Sequence, residues 1–180
     1  GIACDDQGTW AEMIFALEGP DGCGKTTLYR RLKQLLTFDN MKFVNWGPFD
    51  RDLWEQIGKL EQRDIALFSS MYDRASTYIC DRFAVVTGPV YAQVYNRPIP
   101  AYRGPWEPGG LVVCYLRVPQ EIALQRMSDR GDMGVIAERH AQIHQAYERW
   151  TQGLPTHLYQ THILDGTRPI DALVVDFQRI

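Results

Sequence analysis

Apolar residues fall into two alternating textures along this chain: short unbroken runs, and longer stretches where they recur every three or four positions. The first texture marks buried strands and the second marks amphipathic helices. Met13–Glu18 reads as a strand ended by Gly19-Pro20, and Thr26 to Leu36 sets Leu28, Leu32, Leu35 and Leu36 on one helical face. Lys42–Trp46 predicts a second strand, closed by Gly47-Pro48, and Asp52 to about Met71 carries Leu53, Ile57 and Leu60 at helical spacing. Thr77–Asp81 is a third strand, followed by a helix around Gly88–Tyr95. Pro98 to Gly110 holds four prolines and three glycines and reads as a loop, either a rigid connection or a substrate-side flap. Leu111–Leu116 is a fourth strand, and Pro119 with Glu121 suits the first turn of a helix running to about Arg130. Gly131 to Gly134 breaks that helix. The next aligns Ile136, Ile143, Tyr147 and Trp150, with Tyr147 and Trp150 read as packing. His162–Asp165 is a fifth strand, and Ile170, Leu173, Val174 and Phe177 mark a closing helix. This alternation predicts an α/β fold, a parallel sheet with helices on both faces.

Length and composition narrow the picture. With 180 residues, 45% of them hydrophobic, the chain suits a single domain, here residues 13–180. Residues 1–12 show neither periodicity nor a signal-peptide pattern and read as an extension or cloning remnant, or else as a short native arm. Lys+Arg total 19 against 22 Asp+Glu, so no stable nucleic-acid partner is expected. The longest apolar run, Leu111 to Leu116, is far too short for a membrane span. Cys4, Cys23, Cys80 and Cys114 are scattered without a CxxC pair, which predicts a reducing compartment and hence a cytoplasmic location. Only four of the cationic residues are lysines (Lys25, Lys33, Lys42 and Lys59). The arginine excess suits forked contact with phosphate, although genome composition gives the same bias.

The chemistry concentrates in one motif. Gly19-Pro20-Asp21-Gly22-Cys23-Gly24-Lys25-Thr26, followed by Thr27, matches GxxxxGK[ST] between a predicted strand and a predicted helix. Glycines let the backbone wrap a polyphosphate with inward N–H groups, and the helix start adds its positive end. Lys25 supplies a point charge to the outer phosphates of ATP, and the Thr26 hydroxyl can ligate Mg²⁺. Cys23 reads as a small side chain tolerated within the loop. The NKxD and DxxG signatures of a GTPase are missing, and the chain lacks the long acidic strand end of a motor ATPase.

Further candidates lie downstream. Asp81-Arg82 ends the third strand at the carboxyl edge of the sheet, beside the phosphate loop. The acid there can serve the metal or an attacking group, and the arginine can grip a second phosphate; an ion pair at a strand end is the plainer alternative. Arg126 and Arg130 share a helix face just before the Gly131–Gly134 break, and Arg139 follows it. A mobile segment over a transferring phosphoryl group would look like this, and so would solvated surface charge. His140 and His144 are four apart, a metal-like spacing without an evident third ligand. Trp46, Phe49 and Phe68 are either base-stacking or core residues.

EGPDGCGKTT, CDRFAVVTGPVY and LQRMSDRGD, in that order, resemble the thymidylate kinase family of nucleoside monophosphate kinases. The resemblance implies five parallel strands in order 2-3-1-4-5 and an arginine-bearing lid, here about 126–139. It implies that Asp21 approaches the substrate sugar and that Arg82 binds the acceptor phosphate. Thr87, Gly88 and Tyr91 would lie beside the deoxyribose, in a segment one residue longer than usual. With no arginine in the phosphate loop, Arg126 and Arg130 would act from the lid, as in one branch of the family. A homodimer stays open.

Several positions depart from the family pattern. Trp46-Gly47-Pro48-Phe49 stands where an Arg-Glu-Pro segment is usual. Leu67 to Arg74 only loosely follows the LFAADR-like segment that supplies Phe68 and Arg74, and Arg74 lies unusually close to Asp81. Arg117 replaces a common acid. These changes fall where the base is held, and compact divergent members of this kind resemble phage-encoded kinases. The expectation is an ATP- and Mg²⁺-dependent transfer to a (deoxy)nucleoside monophosphate, with dTMP or another deoxynucleotide foremost. A kinase of another small molecule or of a nucleic-acid 5′ end, and a P-loop protein without turnover, are the rivals.

Overall fold

β1 (Ile14–Glu18) runs through the middle of a five-stranded parallel sheet, between β3 (Thr77–Asp81) and β4 (Leu111–Arg117). The computed structural model describes residues 13–45, 59, 62, 76–98, 110–131, 135–153 and 160–180, with only the backbone of 135–138. β2 (Met41–Asn45) and β5 (Gln160–Asp165) complete the sheet in the order β2-β3-β1-β4-β5, as the family resemblance implied. The described helices are α1 (Lys25–Leu35), α2 (Ala84–Val94), α3 (Gln120–Asp129), α4 (Val135–Gln152) and α5 (Ile170–Gln178). None of them is long and apolar enough to cross a membrane.

Strand side chains alternate, so each strand feeds two cores. Phe15 and Leu17 of β1 pack with Leu28 and Leu32 of α1 and with Leu173 and Phe177 of α5. Ile14 and Ala16 face the opposite way, onto Val86 and Val90 of α2 and Ile143 and Tyr147 of α4. Burying each large apolar side chain contributes about 1.5–3 kcal/mol, enough to fix the strand register. The same parity directs the strand ends. Glu18 follows Ile14 and Ala16 towards α2 and α4, whereas Asp81 follows Ile79 towards α1.

Some expected boundaries move. The helix expected around Gly88–Tyr95 begins at Ala84, with Pro89 inside it. Pro89 withholds one N–H, but the buried Val86, Val90 and Tyr91 hold the helix against the sheet. Leu35, expected on the apolar face of α1, is 45% exposed, because the helix ends there and Leu36 makes the last core contact. The second strand, expected from Lys42, begins at Met41 and is described to Asn45, with Trp46 outside the described residues. All but residues 59 and 62 of the expected helix over 52–71, most of the loop at 98–110, residues 132–134 of the Gly131–Gly134 break and residues 1–12 lie outside the described residues.

Candidate active site

The carboxyl end of β1 turns directly into the loop Gly19 to Gly24, and α1 starts at Lys25. Gly24, the N-cap of α1, has φ +100 and makes no side-chain cap, and the first turn of α1 carries no acid. The helix therefore presents bare N–H groups and a positive end to whatever sits in the loop. Gly22, at φ +82, lies against the backbone of α3; an added Cβ would stand 2.3 Å from the Ala123 carbonyl oxygen. Lys25 reaches back over the loop and donates from Nζ to the carbonyls of Gly19 (2.8 Å) and Pro20 (2.9 Å), and to Cys23 Sγ at 3.6 Å. Cys23 thus touches the lysine as well as filling the loop.

Thr26 donates from Oγ1 to Asp81 Oδ2 at 3.0 Å, joining the helix start to the end of β3. A hydroxyl and a carboxylate are hard oxygen donors, and Mg²⁺ takes few protein ligands and keeps the rest of its shell for water and phosphate. The pair expected at the metal therefore fits one.

Next to Asp81 the backbone bends sharply. Arg82 has φ +70, unusual for a residue with a side chain, and its amide donates to Leu17 O at 3.1 Å. The bend turns the buried guanidinium across the end of β1. Nη2 donates to Asp21 Oδ1 at 2.7 Å and Nη1 to the Tyr147 hydroxyl at 3.0 Å, while Cζ lies 5.7 Å from the centre of the Tyr91 ring. Tyr147 in turn donates to Glu18 Oε2 at 2.9 Å. Glu18 also accepts the Phe83 amide at 2.6 Å and the Thr87 hydroxyl at 3.1 Å to each oxygen.

These contacts set the electrostatics. Burial pushes the Glu18 carboxyl up from its ordinary range, against the pull of Arg82, the Phe83 amide, Tyr147 and Lys25. Burial would also raise Asp21, but Arg82 and Lys25 more than offset it and hold this carboxyl below its ordinary value.

On the other side of the loop, a cavity of about 350 Å³ is lined by Gly22, Gly24, Thr27, Arg126, Arg130, Gly166, Arg168 and Leu173, among others. Arg126 donates from Nη1 to Gly166 O at 2.9 Å and more weakly to Gly22 O at 3.4 Å. Arg130 is exposed at the C-cap of α3 and lines the same cavity. Arg139 is elsewhere, with its Cζ 4.7 Å from the centre of the Tyr95 ring.

The structure brings together Gly19 to Thr27, Asp81 and Arg82 around the end of β1, with Arg126 and Arg130 flanking the loop. Thr87, expected beside a sugar, is buried and spends its hydroxyl on Glu18, and Gly88 is buried on α2. Tyr91 is buried beneath Arg82. Phe68, Arg74, Trp46 and Phe49 lie outside the described residues. Arg117, which replaces a common acid, pairs with Glu148 at 2.9 Å. The histidine pair does not form a metal site: His140 Nε2 donates to Asp21 O at 2.9 Å and His144 Nε2 to Val118 O at 2.8 Å. No cluster of three or more metal-type ligands occurs among the described residues. Sequence reasoning passed over Glu18 and took Tyr147 for packing. Strand parity, which puts Glu18 on the face of Ile14 and Ala16, was the available signal.

No family model matches the chain. A probable thymidylate kinase from Metallosphaera sedula is 25% identical over 173 residues, covering 89% of this chain and 87% of the relative. Among solved structures, deoxyadenosine kinase from M. mycoides with products dCMP and a flexible dCDP bound superposes with a TM-score of 0.67 at 14% identity. That match covers 93% of this chain and 97% of the other. The same enzyme with bound dATP gives a TM-score of 0.63 at 18% identity over 93% and 98% of the two chains. The YorR protein of Bacillus subtilis in complex with phosphorylated GDP gives 0.55 at 20% identity over 93% and 94%. The chain thus has the fold of the P-loop kinases, similar in sequence to a thymidylate kinase and in architecture to a deoxynucleoside kinase.

Proposed function

We propose that this chain is a kinase that moves the γ-phosphoryl group of ATP onto a (deoxy)nucleoside monophosphate, giving the diphosphate. The observation that carries this reading is the pairing of two cationic stations around the end of β1. Lys25 lies over the phosphate loop on one side, and Arg82 is held against Asp21 at 2.7 Å on the other. A donor polyphosphate on the loop and an acceptor phosphate at Arg82 would meet between them.

The loop amides and the start of α1 hold the donor phosphates, and Lys25 exchanges its loop carbonyls for phosphate oxygens. Thr26 and Asp81 would hold Mg²⁺, which would supply charge neutralisation when bound. Arg82 orients the acceptor phosphate. Arg126 and Arg130 answer the charge that develops during transfer, and no covalent nucleophile is required. Asp21 accepts from the sugar, with dTMP the first candidate acceptor, while Tyr91, expected against the 2′ side, is buried beneath Arg82 and backs the guanidinium instead. The Metallosphaera sedula relative supports a thymine nucleotide.

A second reading takes a deoxynucleoside as the acceptor, because the structural neighbour in M. mycoides is a deoxyadenosine kinase. One assay separates the two. Labelled ATP is offered with each common nucleoside, nucleoside monophosphate and 5′-hydroxyl oligonucleotide, and the products are resolved. Diphosphate products support the first reading, monophosphate products the second. A labelled oligonucleotide, or ATP binding without any transfer, overturns both.

A further inference from the structure

We propose that Tyr147 is a positioning residue that sets the angle of the Arg82 guanidinium towards the acceptor, through a hydroxyl locked between Arg82 and Glu18. The inference rests on the reading of Arg82 given above.

The Tyr147 hydroxyl accepts from Arg82 Nη1 at 3.0 Å and donates its one proton to Glu18 Oε2 at 2.9 Å. A hydroxyl between a cation and an anion is polarised in one direction and has no second orientation that satisfies both. Its phenol is pushed up by burial and by the neighbouring Glu18, so it remains a donor across the working pH range. Glu18 is itself held by the Phe83 amide on Oε1 and by the Thr87 hydroxyl across both oxygens, and it is fully buried. The relay is therefore anchored on β1 and α2 rather than in a loop.

Two of the anchors of Arg82 differ in kind. Asp21 sits within the phosphate loop, where an incoming nucleotide also binds. Tyr147 comes from α4, outside the phosphate loop, and its hydroxyl is held by Glu18 of β1, so it anchors Arg82 from the sheet side. Without the hydroxyl, Nη1 loses an acceptor inside a buried site, and Glu18, which the hydroxyl had separated from Arg82, becomes a competitor of Asp21 for the guanidinium. A direct Arg82–Glu18 pair would draw the guanidinium inward, away from an acceptor phosphate.

Tyr147→Phe deletes this one atom and keeps the ring, which stacks on Tyr115 at 5.7 Å with an interplanar angle of 11°. The expected result is an acceptor KM raised about tenfold, with the KM for ATP and kcat changed less than about threefold. Tyr115→Phe is the control: it keeps the stacked ring and removes a hydroxyl that is donated to Glu148 at 2.8 Å and not to the Arg82 relay. Its acceptor KM should stay within about twofold of wild type. Should Tyr147→Phe fail to fold, Glu18→Gln removes the charge that polarises the relay from its other end and should raise the acceptor KM in the same direction. An unchanged acceptor KM in the folded relay variant, or an equal rise in Tyr115→Phe, overturns the proposal. If the wild-type protein phosphorylates no monophosphate, the assignment of Arg82 fails first and this proposal falls with it.

Discussion

Gly22→Ala measures how firmly the phosphate loop is docked on α3. The substitution adds a single carbon at a residue with φ +82, and that carbon would stand 2.3 Å from Ala123 O and 2.9 Å from Ala123 C and Cα. An ordinary C···O contact is about 3.3 Å, so the loop or the helix must move by roughly 1 Å, since helix backbone cannot rotate aside. The left-handed backbone costs about 1–2 kcal/mol with a side chain present, and overpacking adds about 1–3 kcal/mol. Together these give a loss of ~2–5 kcal/mol, which for a chain of this size lowers Tm by about 10 °C. Gly131→Ala calibrates the backbone part alone, because Gly131 has φ +74 and its added carbon meets no described atom within 4 Å. Its Tm should fall by about 3–6 °C. Urea unfolding of both variants, with equal m-values, gives the two losses directly. Gly22→Ala should also weaken ATP binding, because Gly22 O accepts from Arg126 and the helix that moves carries that arginine. If Gly22→Ala loses no more stability than Gly131→Ala, the loop is not packed on α3 and the argument fails.

Lys25→Ala should lower kcat by at least about a hundredfold while the protein still folds, and near-normal turnover would remove the loop lysine from the chemistry. Arg130→Ala should reduce kcat more than it raises either KM, since this exposed side chain has to act in the transition state; an effect confined to KM would make it a ground-state contact. Asp21→Asn should cost about 1–2 kcal/mol of stability at neutral pH, because the bond to Arg82 loses its charge assistance. Arg82 and Lys25 hold Asp21 below its ordinary value of 3.8, against the upward push of burial. The wild-type advantage should therefore be full above pH 3.8 and disappear as the pH falls through the lower folded value. Denaturation at a series of pH values checks this, and a difference that persists unchanged well below pH 3.8 would refute it.

The strands were legible because unbroken apolar runs such as Leu111 to Leu116 leave no polar face for solvent. The phosphate loop was legible because few backbone shapes other than a polyphosphate cradle need Gly19, Gly22 and Gly24 in that order before a lysine. Helix starts were less so. The Gly88-Pro89 pair looked like a beginning, yet tertiary packing of Val86 and Val90 carries α2 through it. His140 and His144 illustrate the limit of spacing arguments: they share a helix face, but the carbonyls of Asp21 and Val118 meet them there. Tyr147 was hidden for a different reason. Its ring belongs to an apolar stripe on α4, and only the folded sheet brings Glu18 and Arg82 to its hydroxyl.

The central position of β1 has a consequence for how the chain is made. Ile14 is in register with Tyr78 on one side and with Leu111 on the other. At a synthesis rate of roughly 5–20 residues per second, β1 waits on the order of ten seconds before its second neighbour is translated. Until Tyr78 is translated both edges of this apolar strand are open, and until Leu111 one still is; local structure cannot shield it, because parallel pairing needs distant segments. The phosphate loop inherits this delay, since its anchors on β3 and α3 follow later in the chain. Nucleotide binding should therefore appear only with the last cooperative step of folding. In a refolding time course it would report completion of the sheet rather than formation of α1.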